Sequence, residues 1–331
     1  MRYLAGGARA QGAPLQQGVP PSILDGSPRT LPAEAVGAGG TAVLRSSTSH
    51  GTTSQPRLGT PTAAGSFRLA LHGATAAGFP SFRDACEAAG VDGLALIRWD
   101  VPGPYEVAFS TRRGGVSGGS FASLNLGVKT ADETANVIEN RRRLCSSVGA
   151  EPDRVSMTWQ RHSATVRRAG ESDILSPGFT NPDGDGVWTD TPGEAVLQLT
   201  ADCVPIALAR IAGARPAVAV LHAGWRGLLA GVVAAGVEAL GPGPVAAAIG
   251  PSIGPCCYEV GPEVAEPFGA EVMHGRNLDL WAATARALEA AGVERIERLD
   301  LCTACHPELF FSHRRDDGVT GRQGVIAHVA A

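Results

Sequence analysis

From Ile97 onward, apolar residues recur with two periods, and each period names an element. YEVAFS (105–110) alternates as a strand, with Tyr105, Val107 and Phe109 on one face. Val137, Ile138, Leu144, Cys145 and Val148 mark a helix that Asp132 would cap and Gly149 would close. VSMTW alternates again and runs into Gln160, Arg161 and His162. EAVLQLT is a strand that ends at Ala201, Asp202 and Cys203, and AVAVLH is a strand that ends at His222. Leu228, Leu229, Val232, Val233, Val237 and Leu240 predict one helix stopped by Gly241. VAAAIG is a short buried strand that leads into GPSIGPCCYEVGP, and Leu280, Trp281, Leu288 and Gly292 outline a further helix. RIERLDL, FFSHRR and GVIAHV read as late strands. Strands outnumber helices without strictly alternating with them, which predicts an α+β fold in a single domain over 97–331.

The first 80 residues lack this order. They are rich in Gly, Ala, Pro, Ser and Thr, and no Asp or Glu occurs between Ala35 and Phe82. Such a stretch buries too little apolar surface to offset its ordering entropy, so 1–80 is expected to be a disordered extension. Residues 81–96 form a short pre-domain segment, in which SFRDACEAAGVD is expected to be a helix.

Composition narrows the class. The chain has 331 residues, a formal net charge of -4 and 44% hydrophobic residues, the profile of a soluble globular protein with no basic footprint for nucleic acid. No apolar run reaches the ~18 residues needed to span a bilayer, and MRYLAGGARAQGAPLQQG lacks the apolar segment of a signal peptide. A cytoplasmic protein is expected. Seven cysteines are an odd number in a long chain, which fits reduced, buried or metal-binding thiols better than a disulfide framework.

Three strand ends carry chemistry: His162, Cys203 and His222. Strands that end at one sheet edge can bring such residues together. Zinc prefers these donor types, and three protein ligands with an open fourth position describe a catalytic site. Taken one at a time, each residue reads equally well as a satisfied core histidine or an inert thiol.

Longer stretches carry a resemblance. TADCVPIAL, LHAGWRG, IGPSIGPCCYEVG and CTACHPELFFSHRRD followed by TGRQ, with STRRGGVSGGSFASLNLG upstream, closely resemble the YfiH-like family. That family was first described as polyphenol oxidase or laccase-domain proteins and is now regarded as zinc-dependent purine nucleoside phosphorylases. The resemblance runs from about residue 97 to the C-terminus and leaves out 1–80. It implies a layered α/β/β/α mixed-sheet fold, similar to the catalytic domain of cytotoxic necrotizing factor toxins. It also implies a metal site of His162, Cys203 and His222, the residues expected to carry catalysis. Two positions depart from the family pattern: Ser163 stands where Gly is usual, and His313 stands where Tyr is usual.

The implied reaction is phosphorolysis of adenosine, inosine, guanosine or methylthioadenosine to a free purine and ribose 1-phosphate, with adenosine deamination as a side activity. Phosphate or substrate would be held by Arg113, Asn125, Arg226, Arg314 and Arg315. Asp185 and Asp202 would orient the histidines. Ala223, Gly224 and Gly227 would keep the volume beside His222 small. The expected partners are small molecules, not nucleic acid or membrane, and the sequence does not define an oligomeric state. Two rival readings stand beside this one. One is a copper-dependent polyphenol oxidase, for which eight histidines are few. The other is a metal-free hydrolase with Cys203 as nucleophile and a histidine as base.

Other motifs carry less. CTACH has the form of a c-type haem attachment site, but that chemistry follows export. Cys302 and Cys305 lack a second CxxC and read as packing residues. Cys256 and Cys257 are adjacent and are expected in a turn lining the pocket. Gly114–Gly119 reads either as a flexible hairpin or as a phosphate-facing loop beside Arg112 and Arg113.

Overall fold

The fold follows from which face of each strand is large and which is small. The structure is a computed structural model that describes residues 67–71, 74–75, 93–170, 173–176, 181–213 and 215–331. Fifteen strands are described: β1 (Phe67–Leu71), β2 (Ala74–Thr75), β3 (Ala95–Trp99), β4 (Tyr105–Ser110), β5 (Val155–Met157), β6 (Val166–Arg168), β7 (Gly186–Thr189), β8 (Ala195–Thr200), β9 (Val204–Arg210), β10 (Val218–Ala223), β11 (Val245–Ile249), β12 (Met273–His274), β13 (Asn277–Leu278), β14 (Arg295–Arg298) and β15 (Gln323–Val329). The α-helices among the described residues are α1 (Thr134–Val148), α2 (Trp225–Ala230), α3 (Val232–Ala239), α4 (Pro262–Ala265) and α5 (Leu280–Ala290). One mixed sheet has the order β2-β1-β3-β4-β15-β8-β5 and the other β14-β11-β9-β10-β7-β6, with β12 and β13 as a separate hairpin.

The two sheets meet face to face. Ile97, Val107, Phe109 and Val325 from the first pack on Ala207, Ala209, Ala246 and Ala248 from the second. Large side chains therefore face small ones. Gly250 shows how close the layers come, since a Cβ there would lie 2.3 Å from the Phe109 ring. The outer faces are large again. Val204, Ile206, Leu208 and Leu221 pack against Val232 and Val233 of α3 and Leu288 of α5. On the other side, Leu197, Leu199 and Ile326 pack against Leu144, Cys145 and Val148 of α1. A one-residue slip of β9 would exchange Ala207 for Ile206 or Leu208 between the sheets, and overpacking of that kind costs about 1–3 kcal/mol per site. The layers are thus α/β/β/α, the expected α+β fold.

The local expectations need several corrections. Asp132 does not cap α1: its Oδ2 accepts from Ser117 Oγ at 2.6 Å and Asn125 Nδ2 at 2.9 Å, tying loops together. Gly149 does close α1, at φ 68. The helix expected over 228–240 is two helices, because Gly231 adopts φ 91 and ends the first. FFSHRR is not a strand. Side chains meet part of its backbone instead: Phe311 N donates to Gln323 Oε1 at 2.8 Å, Gln323 Nε2 donates to Phe311 O at 3.0 Å, and Arg314 N donates to Asp202 Oδ2 at 2.6 Å. RIERLDL is a strand only over Arg295–Arg298. Strands β7 and β9 were not anticipated. Strand β1 falls within the stretch 1–80 and pairs antiparallel with β3. The helix expected over 81–92 lies outside the described residues. No helix among the described residues is long and apolar enough to cross a membrane.

Candidate active site

The site is built where chain leaves the sheets. In β10, Ala219, Leu221 and Ala223 face the helices, so Val218, Val220 and His222 point the other way, toward the gap between the sheets. His222 is the last such position before the strand ends, and it is buried. Cys203 lies in the short crossing from β8 to β9, which moves the chain from the first sheet to the second. Asp202, just before it, adopts φ 90. His162 lies in the loop between β5 and β6 at φ 58. Two loops and one strand end deliver one donor atom each, and the three atoms all lie within 4.8 Å of one another. Cys203 Sγ is 3.8 Å from His162 Nε2, and the two imidazoles sit edge to face with centroids 5.0 Å apart.

Asp185, fully buried just before β7, organises this arrangement. Its Oδ1 accepts from His162 N at 2.9 Å and lies 2.9 Å from His222 Nδ1. Its Oδ2 accepts from Arg161 N at 3.0 Å, Ser163 N at 2.7 Å and Ser163 Oγ at 2.7 Å. One carboxylate therefore folds the His162 loop and claims Nδ1 of His222, leaving Nε2 of His222 as the free donor. Burial pushes the Asp185 carboxyl upward, but the hydrogen bonds from His222, Ser163 and Arg161 outweigh it and hold the group well below the usual carboxylate range. Burial also acts to raise the Cys203 thiol. The charge of His222 and hydrogen bonds from both histidines prevail and bring it down to about 6. For His222, burial acts to lower the pKa, and the Cys203 thiolate and Asp185 prevail and raise it to about 9. Without an ion the trio thus holds a thiolate beside the His222 imidazolium; Asp185 keeps Nδ1, so an ion would displace the Nε2 proton, and the donor set suits zinc.

Space is kept for an ion. A Cβ on Gly224 would lie 2.8 Å from His162 Cδ2 and 3.0 Å from Cys203 Sγ. Gly224 therefore has to be glycine for these two ligand side chains to stand where they do. Gly227 is different, since its nearest neighbours are at 3.6 Å, an ordinary contact. Ala223 faces the helices.

The trio opens into a cavity of about 560 Å³. Lys129, Arg141, Arg314 and Arg322 supply positive charge to its wall, and Trp159 and Tyr258 supply ring faces. Of the residues expected to hold substrate, Arg314 lines the cavity. Its backbone N donates to Asp202 Oδ2 at 2.6 Å, and its Nη1 donates to Glu259 O at 3.0 Å. The other four do not line it. Arg113 lies in a separate depression with Arg112, Pro307 and Glu308. Arg226 is exposed and stacks on Trp225 at 4.1 Å. Arg315 pairs with Asp316 and donates to Thr303 O at 2.8 Å. Asn125 is buried behind the wall. Its Oδ1 accepts from Gly127 N and Arg322 N, both at 2.9 Å, so it shapes the loop that presents Lys129. Asp202 contacts neither imidazole; Thr303 Oγ1 donates to its Oδ1 at 2.6 Å.

Sequence reasoning missed Lys129, Arg141 and Arg322. Arg322 stood in the quoted TGRQ, and Lys129 stands two residues beyond SLNLG, so both were within reach of the motifs. Arg141 carried no signal: it looks like one of a run of surface arginines, yet its Nε donates to Leu126 O at 2.9 Å and its Nη1 to Ile174 O at 2.7 Å.

Comparison with known proteins agrees with this architecture. The family described as "Multi-copper polyphenol oxidoreductase laccase" matches residues 106–330. The chain is 37% identical over 237 residues to the purine nucleoside phosphorylase YlmD of Geobacillus stearothermophilus, covering 64% of this chain and 86% of that one. It is 36% identical over 241 residues to the purine nucleoside phosphorylase YfiH of Escherichia coli (strain K12), covering 69% and 96%. The crystal structure of YlmD from Geobacillus stearothermophilus superposes with a TM-score of 0.66 at 33% identity, over 71% of this chain and 96% of that one.

Proposed function

The chain belongs to the YfiH-like, laccase-domain family, and from that premise we propose that it is a zinc-dependent purine nucleoside phosphorylase. One observation carries the reading: an oriented His, Cys, His donor set opens into a cavity walled by cations and aromatic rings. His162, Cys203 and His222 would hold the zinc. When bound, zinc supplies a Lewis acid that polarises a substrate atom or a water.

The chain's own groups do the rest. Lys129, Arg314 and Arg322 attract and orient the phosphate dianion, with Arg141 adding charge from behind. Trp159 and Tyr258 offer faces on which a purine can lie. Enclosure favours phosphate over water as the attacking group. A phosphate oxygen bonds to C1′ of the ribose as the C1′–N9 bond breaks. The electron pair leaves with the purine, which takes up a proton, and ribose 1-phosphate remains, or its 5-methylthio analogue when the substrate is methylthioadenosine. Adenosine deamination, in which water replaces the 6-amino group, belongs to the same proposal.

The test is product analysis of inosine, adenosine and methylthioadenosine with and without phosphate. Free purine formed only with phosphate is the expected result. Release of base that ignores phosphate, or no turnover of any of the three, overturns the reading. The family's description names copper, and copper at stoichiometry with oxygen consumption would favour that chemistry instead. One observation favours a metal-free reading. A thiol held at about 6 and lying 3.8 Å from an imidazole is also a competent nucleophile. Turnover that survives chelation and is abolished by alkylating Cys203 would support it.

A further inference from the structure

Four cysteines outside the site converge. Cys256 and Cys257 follow β11 in the loop 250–258, and Cys302 and Cys305 follow β14 as a C-x-x-C turn. Read from sequence they looked like a pocket-lining turn and packing residues, because nothing local brings 256 to 305. The parallel pairing of β11 with β14 does so. Backbone bonds extend that pairing, with Ser252 N donating to Leu301 O at 3.2 Å and Thr303 N to Ser252 O at 3.0 Å. A tight turn at Gly254, with Cys257 N and Tyr258 N both donating to Gly254 O at 3.0 Å, carries the exposed Cys256 and half-buried Cys257 beside the second loop.

All four thiols are free, and all four sulfurs lie within 4.8 Å of one another. Cys305 Sγ is 3.4 Å from the sulfurs of both Cys256 and Cys257. A tetrahedral zinc with Zn–S of about 2.3 Å separates its sulfurs by about 3.8 Å, a distance within that spread. The surroundings fit thiolates. Gly254 N donates to Cys302 Sγ at 3.3 Å, and the Cys305 amide also points at that sulfur. Two guanidinium groups grip the ligand-bearing loops: Arg314 Nη1 donates to Cys257 O at 3.3 Å and Arg315 Nη1 to Thr303 O at 2.8 Å.

We propose that Cys256, Cys257, Cys302 and Cys305 form a second, structural zinc site. Binding deprotonates the four thiols and leaves no open position on the ion, so the centre cross-links rather than reacts. The cross-link would join two loops that build the cavity wall. Tyr258 adjoins Cys257, and Thr303, between Cys302 and Cys305, holds Asp202 next to Cys203.

The test measures metal in the full chain purified without added metal. The parent should carry about two zinc ions per chain. His222→Ala should keep about one, and refilling the stripped His222→Ala protein with Co2+ should give the intense sulfur-to-cobalt charge-transfer bands of an all-thiolate tetrahedral site. Cys305→Ser and Cys256→Ser should each lose one ion from the parent level while keeping the ion at His162, Cys203 and His222. The His222→Ala measurement needs no cysteine variant, so misfolding of those variants leaves the proposal testable. A His222→Ala protein with no metal and four titratable thiols overturns it. So does a parent whose intact mass shows a disulfide among these cysteines. Failure of the first site instead appears as a parent with one ion that His222→Ala does not change.

Discussion

Asp185→Asn exchanges one oxygen for an NH2 at the centre of five contacts, and the consequence depends on which way the amide turns. If the carbonyl keeps the Oδ2 position, the NH2 faces His162 N and His222 Nδ1. His162 N then loses its acceptor. His222 must present a bare Nδ1, which places its proton on Nε2 and removes the free donor. If the amide flips, the NH2 faces Arg161 N, Ser163 N and Ser163 Oγ, and the His162 loop loses its anchor instead. Either way at least one buried N–H is orphaned, at about 1–3 kcal/mol. Loss of the group that orients a metal-ligating histidine lowers metal affinity or activity by about 10- to 100-fold, or about 1.4 to 2.7 kcal/mol. Zinc affinity measured by chelator competition, together with kcat/KM for phosphorolysis, should show that loss. The melting temperature should drop by only a few degrees, about 2–4 °C per kcal/mol for a domain of this size. Unchanged zinc affinity and unchanged kcat/KM in a folded Asp185→Asn protein would refute the orienting role.

Gly224→Ala should weaken zinc binding and turnover by at least tenfold while leaving the melting temperature of the metal-free protein within a few degrees, because the nearest neighbours of the new methyl are His162 and Cys203. Arg322→Ala and Lys129→Ala should each raise the KM for phosphate more than the KM for nucleoside. Arg113→Ala, in its separate depression, should change neither, and a phosphate effect confined to Arg113→Ala would contradict the assignment. In metal-free protein the thiolate–imidazolium pair gives stability a definite pH window. Cys203 is depressed from 9.0 to about 6, so its contribution is full above pH 9 and lost as pH falls through about 6. His222 is raised from 6.5 to about 9, so its contribution is full below pH 6.5 and lost as pH rises through about 9. The melting temperature of metal-free protein should therefore peak between those limits, and Cys203→Ser should flatten the profile; a profile identical in both proteins would contradict the pairing.

Much of this was legible in the sequence, for reasons particular elements make clear. Alternation in YEVAFS identified β4, and the short continuous apolar run AVAVL identified β10 as a strand buried on both faces. Strand β9 was missed because VPIALAR is apolar on both faces and contains Pro205, which argues against a central strand; here the proline sits at the strand end, opposite His222. Helix α3 was merged with α2 because the apolar period runs through Gly231 without a break. His162, Cys203 and His222 each followed an apparent strand, which suggested a shared edge, and the family resemblance grouped them as a set. Asp185 was visible only as a carboxylate in DGDGVWTD, and nothing local tells it from Asp202, whose partners Thr303 and Arg314 lie over 100 positions away. The same limit hid Lys129, Arg322 and the four-cysteine cluster, which owe their neighbours to sheet order rather than to spacing.

The central claim is that His162, Cys203 and His222 act together to hold a zinc ion that phosphorolysis requires. The most direct measurement is zinc content and ribose 1-phosphate formation, side by side, in the parent, Cys203→Ser, His222→Ala and the double variant. The account predicts that zinc and turnover fall together in each single variant by the same step, and that the double variant is no worse, because the donors work as one unit. A Cys203→Ser protein that keeps the parent's zinc and turns over inosine at the parent's rate would contradict it.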